Sequence, residues 1–186
     1  MGDKKLAVIF PGFGYHCDKP LLYYGRKLAL QKGYEILEVK YDIKDAYEAM
    51  KDDKDRDKKV LKMATDEAVK KFSEVNLSEY KDVVLIGKSF GTIVAGWCDK
   101  ELSLNAKHIV FTPVPGTFEH LRKGCGIVFH GTSDPLCENE IVREMCEELG
   151  LELIEVEGAN HSLEIQKVDE DLRIMGKVME RVEREM

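Results

Sequence analysis

The 186-residue sequence has no apolar stretch approaching the ~18 residues that a membrane span requires. The first apolar run, positions 6 to 11, ends in Pro11-Gly12 and offers no small-residue cleavage site of the kind a secretion signal carries. Gly2 would suit N-myristoylation only with Ser or Thr at position 6, where Leu6 stands. A cytoplasmic location is therefore the expectation. Cysteine is sparse and lacks any paired spacing. Cys17, Cys98, Cys125, Cys137 and Cys146 are odd in number and form no CxxC pair, which speaks against a disulfide framework or a zinc knuckle and for reduced thiols. An excess of basic charge is absent too: 28 Lys and Arg stand against 35 Asp and Glu, a net of -7. A nucleic-acid surface needs a concentrated basic face, so that partner is not expected. The chain also lacks internal repeats, low-complexity tracts and linkers. Its length is ample for one core and short for two, so a single α/β domain over positions 1–186 is expected.

What the chain does contain is an alternation of strand-like and helix-like segments. Apolar runs at 6–10, 34–39, 83–87, 108–111, 126–130 and 151–156 are short, rich in Val, Ile and Leu, and mostly free of polar alternation. Such runs suit strands covered on both faces. Asp18 is placed to cap a helix running to about position 31, with Gly33 ending it. The segment 46–75 opens with a mixed-charge run at 51–59, a solvated surface, and continues with Leu61, Ala64, Ala68, Phe72 and Val75 at helical spacing. A last helix carries Val168, Leu172, Met175, Met179 and Val182 as a second apolar stripe for the core. Parallel neighbours cannot be joined by a tight turn, so six strands linked by helical crossovers predict a three-layer α/β sandwich, a mainly parallel sheet with helices on both faces.

The stretch with chemical content is Val83-Val84-Leu85-Ile86-Gly87-Lys88-Ser89-Phe90-Gly91-Thr92. A buried strand runs directly into Gly-x-Ser-x-Gly and then into a helix over 93–100. That context predicts a sharp turn lifting the Ser89 hydroxyl above the sheet, with free N–H groups at the helix start behind it. Two glycine-loop alternatives fail. A phosphate-binding P-loop ending at Gly87-Lys88-Ser89 needs glycine at position 82, which is Asp82, and a dinucleotide fingerprint opening at Gly12 needs glycine at position 17, which is Cys17. A serine hydroxyl needs a base, and the base an acid to orient it. Asp134 follows the strand at 126–130 and His161 follows that at 151–156, so all three groups fall on the carboxyl edge of one parallel sheet, where ligands bind. Glu138 and Glu157 stay available as partners for His161 should Asp134 point elsewhere.

The elbow Gly87-Lys88-Ser89-Phe90-Gly91, the turn Gly131-Thr132-Ser133-Asp134 and the loop Gly158-Ala159-Asn160-His161 resemble the α/β-hydrolase superfamily over most of the chain. The resemblance implies a sheet order 2-1-3-4-5-6 without the two antiparallel strands that open larger members. Pro11-Gly12-Phe13-Gly14 sits where those proteins carry a His-Gly-x-Gly oxyanion loop, with Pro11 in place of the His. By that match the N–H of Phe13 joins that of Phe90 in an oxyanion hole, with Gly12 as the alternative donor. Only positions 112–125 separate the fourth and fifth strands, too few for the usual lid. An open, shallow cleft is expected, walled by Phe13, Phe90 and Phe118, with His16 close enough to touch substrate. Cys17 has no elbow to present it as a nucleophile. The implied activity is hydrolysis of a carboxylic ester or thioester, on a small-molecule or acylated substrate, through an acyl-enzyme on Ser89, without metal or organic cofactor. Amide or peptide hydrolysis by the same triad, and a binding protein that keeps the fold without activity, are the alternatives.

Overall fold

The computed structural model describes residues 3–41 and 43–186; Gly2, weighed above as an acylation site, lies outside them. Six strands form: β1 (Lys4–Phe10), β2 (Glu35–Glu38), β3 (Tyr80–Lys88), β4 (Lys107–Phe111), β5 (Gly126–Gly131) and β6 (Glu152–Val156). Their order is β2-β1-β3-β4-β5-β6 and every neighbouring pair is parallel. The four central strands are buried over most of their length, which is why they read as unbroken apolar runs. The edge strands β2 and β6 are more polar and only partly covered.

Successive strand residues face opposite layers. Ile9, Ile86, Phe111 and Phe129 meet α1 (Pro20–Gln31) and α6 (Val168–Glu185) through Leu21, Leu22, Val178 and Val182. Val8, Phe10 and Leu85 meet α3 (Arg56–Phe72) and α4 (Phe90–Glu101), while Val110 and Val128 meet α5 (Asn139–Leu149). This is the three-layer sandwich with helices on both faces. A short α2 (Lys44–Ala49) lies between β2 and α3. Between β4 and β5 the chain makes only a 3-10 turn, Pro115–Thr117, so the space for a lid is indeed missing. All five cysteines are buried and free. Among the described residues no helix is long and apolar enough to cross a membrane.

Two local expectations are corrected. Asp18 does not cap α1: Lys19 holds that position, because Pro20 fits the first helical residue with its fixed φ, and Asp18 pairs instead with Arg26 at 3.1 Å. The charged run at 51–59 spans the break between α2 and α3 and the first turn of α3. Within α3 the expected stripe does pack, through Ala64, Ala68 and Phe72. In α6 the stripe is core only in its later turns, since Val168 and Leu172 stay 77% and 69% exposed. A helical period fixes which face is apolar, not how far along the helix a neighbour reaches.

The helix that carries the serine turn at its start is anchored at its other end by Asp99. Its Oδ1 accepts the Ala106 N–H at 3.0 Å, and its Oδ2 accepts from Arg122 Nε at 2.7 Å and meets His108 Nε2 at 2.9 Å. Burial alone would raise the Asp99 pKa; the bonds from His108, Ala106 and Arg122 outweigh it and hold the carboxyl below its ordinary range. A carboxylate depressed in the folded state adds stability above its unfolded pKa and loses it as pH falls through the folded one. Asp99→Asn should lower the unfolding free energy at pH 7 by about 3 kcal/mol, with the gap to wild type narrowing below about pH 4. Urea titrations across that range test this; coincident midpoints at pH 7 would count against the anchor.

Candidate active site

The junction of β3 and α4 is a single residue, Ser89, on the carboxyl edge. Ser89 has φ 54° and ψ -126°, a conformation that side-chain-bearing residues adopt only under strain. The flanking glycines make room for it. A Cβ at Gly91 would stand 2.3 Å from the Phe10 carbonyl oxygen and 2.5 Å from that of Pro11, so α4 starts directly against the end of β1. The turn is held by the Ser89 N–H on the Phe111 carbonyl at 3.0 Å. The Ser89 carbonyl in turn accepts from the Thr92 N–H at 2.9 Å and the Thr92 hydroxyl at 2.6 Å.

The result is a hydrogen-bonded chain. Ser89 Oγ lies 2.8 Å from His161 Nε2, and His161 Nδ1 lies 2.6 Å from Asp134 Oδ2. The three residues expected to act together do meet, and Asp134, not Glu138 or Glu157, faces the imidazole. Two loops bring this about. The Asp134 turn closes on itself through its N–H to Gly131 at 3.0 Å, and Leu136 N–H donates to Asp134 Oδ1 at 2.9 Å. The His161 loop is fastened to that turn by Ser133 N–H on Ala159 at 2.9 Å and Gly158 N–H on Thr132 Oγ1 at 2.8 Å. Leu163, buried in the core, pins its far side.

Burial alone would raise the Asp134 pKa, but the bonds from His161 and from the Leu136 N–H hold it below the usual carboxylate value. An ionised Asp134 can only accept, so Nδ1 of His161 carries the proton and Nε2 offers its lone pair to the Ser89 hydroxyl. That is the arrangement of a general base on a nucleophile.

Two backbone N–H groups flank Ser89. Phe90 is the first residue of α4, where an N–H has no intrahelical acceptor. On the other side the loop after β1 passes so close that a Cβ at Gly12 would stand 3.1 Å from the Ser89 Cβ. There Gly12 and Tyr15 exchange N–H···O bonds at 3.1 and 3.2 Å, which engages the Gly12 N–H, whereas that of Phe13 meets no acceptor among the described residues. Of these two N–H groups, only that of Phe13 thus stays free of an acceptor among the described residues. Its ring lies against Phe90 at 4.7 Å between centroids.

The remaining site expectations divide. His16 is exposed beside a 570 Å³ cleft that runs along this loop, and its Nδ1 accepts the Asp18 N–H at 3.3 Å, a local turn contact. Phe118 does not wall the site. It is 4% exposed and packs with Val110 and Leu121, because a segment too short for a lid folds back onto the sheet and uses its ring as core. Cys17 is buried, and that burial pushes its thiol pKa up to about 12. Among the described residues no three His, Cys, Asp or Glu side chains are grouped to hold a metal ion.

Lys88 was not read from the sequence as a member of the site. It is 3% exposed, and its ammonium lies 4.8 Å from the centroid of the Tyr15 ring, beneath the loop that carries Phe13. The available signal was a charged residue at the end of an otherwise buried strand, immediately before the serine.

Comparison with known proteins gives fold-level likeness only. No protein-family model and no curated protein matches the sequence. Among solved structures, a protein of unknown function from Agrobacterium tumefaciens, described as a candidate alpha/beta hydrolase, superposes with a TM-score of 0.68 at 19% identity, covering 99% of this chain and 86% of that one. A Xanthomonas campestris member of the alpha/beta serine hydrolases without lid gives 0.61 at 13% identity, covering 99% and 83%. A Pyrococcus furiosus esterase gives 0.59 at 16% identity, covering 97% and 81%. The chain therefore has the alpha/beta hydrolase fold.

Burial pushes the Lys88 pKa down to about 8, against a smaller upward pull from the Asp134 charge. Below pH 8 the folded and unfolded chains both hold the proton, and the native state carries the full penalty of the buried charge. Between about pH 8 and the unfolded value near 10.5 the unfolded chain holds a proton the folded one lacks, so stability from this group rises with pH. Lys88→Met should accordingly stabilise the protein at pH 7 by on the order of 2–3 kcal/mol, with the gain shrinking towards pH 10. Thermal melts at several pH values read this directly. A variant less stable than wild type at pH 7 would mean that the Tyr15 contact outweighs desolvation.

Proposed function

We propose that this protein is a serine hydrolase that cleaves carboxylic esters or thioesters through an acyl-enzyme. The observation that carries the proposal is the unbroken hydrogen-bonded chain Ser89–His161–Asp134, with the free N–H groups of Phe13 and Phe90 beside the serine. The fold it shares with a lidless serine hydrolase and an esterase supports the same reading.

In the first half-reaction Ser89 Oγ attacks the carbonyl carbon while His161 Nε2 takes the hydroxyl proton. Phe13 and Phe90 N–H receive the developing oxyanion, and Asp134 stabilises the imidazolium. Collapse expels the alcohol or thiol, which leaves with the proton from His161, and the acyl group stays on Ser89. In the second half-reaction water attacks the acyl carbon and gives its proton to His161. The acid departs, and the proton returns to Ser89 Oγ. Atoms and charge balance without a cofactor. An open cleft suits a short acyl group or an acyl group on a larger molecule better than a long lipid chain.

A fluorophosphonate probe followed by intact-mass measurement tests the nucleophile. Wild type should gain one adduct and Ser89→Ala none; folded wild type that stays unlabelled removes the hydrolase reading. On p-nitrophenyl acetate, Asp134→Asn should lower kcat by about 10⁴-fold, because an amide in that position favours the wrong imidazole tautomer. A loss of less than tenfold would leave Asp134 without the orienting role.

A further inference from the structure

Four aromatic rings form a continuous rim beside the serine. Phe13 lies 5.0 Å from Tyr47 and 4.7 Å from Phe90, and Tyr41 meets Phe90 edge-on at 6.0 Å. The first and third of these rings grow from the two residues whose N–H groups flank Ser89, so the rim begins within a side chain's length of the reacting carbon. Phe13 keeps 38% of its surface exposed, an unsatisfied apolar face at the one place where a substrate carbonyl must approach. The rings are held in place before any ligand arrives. The Tyr41 hydroxyl donates to the Pro11 carbonyl, and the Arg56 guanidinium lies 4.0 Å from the Tyr47 ring centroid. Phe13 and Tyr41 also line the 570 Å³ cleft, together with Val39 and Ile43.

We propose that this rim is an aryl subsite, so that the preferred substrates are esters carrying an aromatic ring close to the scissile carbonyl. The inference rests on the hydrolase reading above and adds its substrate class. Flat rings fit such a surface because offset and edge-to-face contacts between aromatic groups gain more than the buried area alone supplies. A saturated ring of the same size gains only the area. Because the rim rings have few rotatable bonds and are already fastened, little freedom is lost when a ligand covers them.

The ring could be supplied by the acyl or the alcohol half, and two substrate pairs separate these. Ethyl 3-phenylpropanoate against ethyl 3-cyclohexylpropanoate probes the acyl side, and benzyl acetate against cyclohexylmethyl acetate the alcohol side. With the purified full chain, kcat/KM for the aryl member should exceed that of its saturated partner by about three- to tenfold in at least one pair. That ratio should fall towards one in Phe13→Leu, and in Tyr47→Leu, which lies farther from the serine. Each ratio is internal to one enzyme preparation, so a general loss of rate in a variant does not disturb it. Ratios near one in both pairs, for wild type whose Ser89 still takes the fluorophosphonate, would overturn the aryl subsite and leave the hydrolase standing. A wild-type ratio that survives unchanged in both variants would overturn it as well, because the rim would not be its source. Wild type that takes no probe would overturn the hydrolase reading and this inference with it.

Discussion

The site depends on one backbone constraint, the strained positive-φ conformation of Ser89 between β3 and α4. Holding a side-chain-bearing residue there costs about 1–3 kcal/mol, and it persists only where the surroundings fix it. Here the fixing groups are the Phe111 carbonyl on one side and Thr92, through both N–H and hydroxyl, on the other. The turn also decides what lies next to it. Gly91 lets the start of α4 press against the Phe10 and Pro11 carbonyls, so the loop leaving β1 has to pass beside the serine. The hydroxyl and the two flanking N–H groups are therefore consequences of one packing solution.

The remaining two residues arrive by sheet register. β5 and β6 are parallel neighbours, paired out to Gly131 and Val156, so the loops that follow leave the sheet side by side. Gly131 allows the contact to be close, since a Cβ there would stand 2.3 Å from the Ala159 carbonyl oxygen. Thr132 and Ser133 then bond the two loops together. A base and its acid carried on separate loops would drift; bonded to each other, they move as one piece, and the imidazole stays aligned with the hydroxyl.

Much of this was legible in the sequence because its signals are local. Residues 83–92 encode strand, turn and helix within ten positions, and Asp134 and His161 each follow a short apolar run that reads as a strand. Parallel topology then puts all three at one edge, whatever the details between. What could not be read depends on contacts between distant segments. Phe118 looked like a cleft wall by position, yet whether a ring faces a cleft or the core is decided by where the 112–125 segment lies across β4 and β5. Val168 and Leu172 have helical spacing with the later α6 residues, but spacing cannot tell where the neighbouring elements end. The resemblance favoured Phe13 over Gly12 as a donor, and the bond of the Gly12 N–H to the Tyr15 carbonyl, which leaves only the Phe13 N–H free of an acceptor among the described residues, could not be read from the sequence. Tyr41 and Tyr47 fall between the second strand and the charged run at 51–59, where no motif marks them, and only the fold brings them to Phe13 and Phe90.

The absence of a lid has a consequence for how the proposed reaction gains its electrostatic help. In larger enzymes closure of a cover expels water, and the donors act at low dielectric. Here the apolar cover comes from one side only, the aromatic rim around Phe13 and Phe90, which is the side where the oxyanion would form. The opposite side carries His161, whose ring keeps partial contact with solvent, and that is where the second half-reaction needs a water molecule. In the proposed reaction the rim would shield the oxyanion from one side, and the partly exposed imidazole would leave the deacylating water a way in without any movement of the chain. Lys88 bears on the same proposal: its buried charge is unfavourable for folding, yet it lies against Tyr15 and within the field of Asp134, where in the proposed reaction it would add positive potential near the oxyanion.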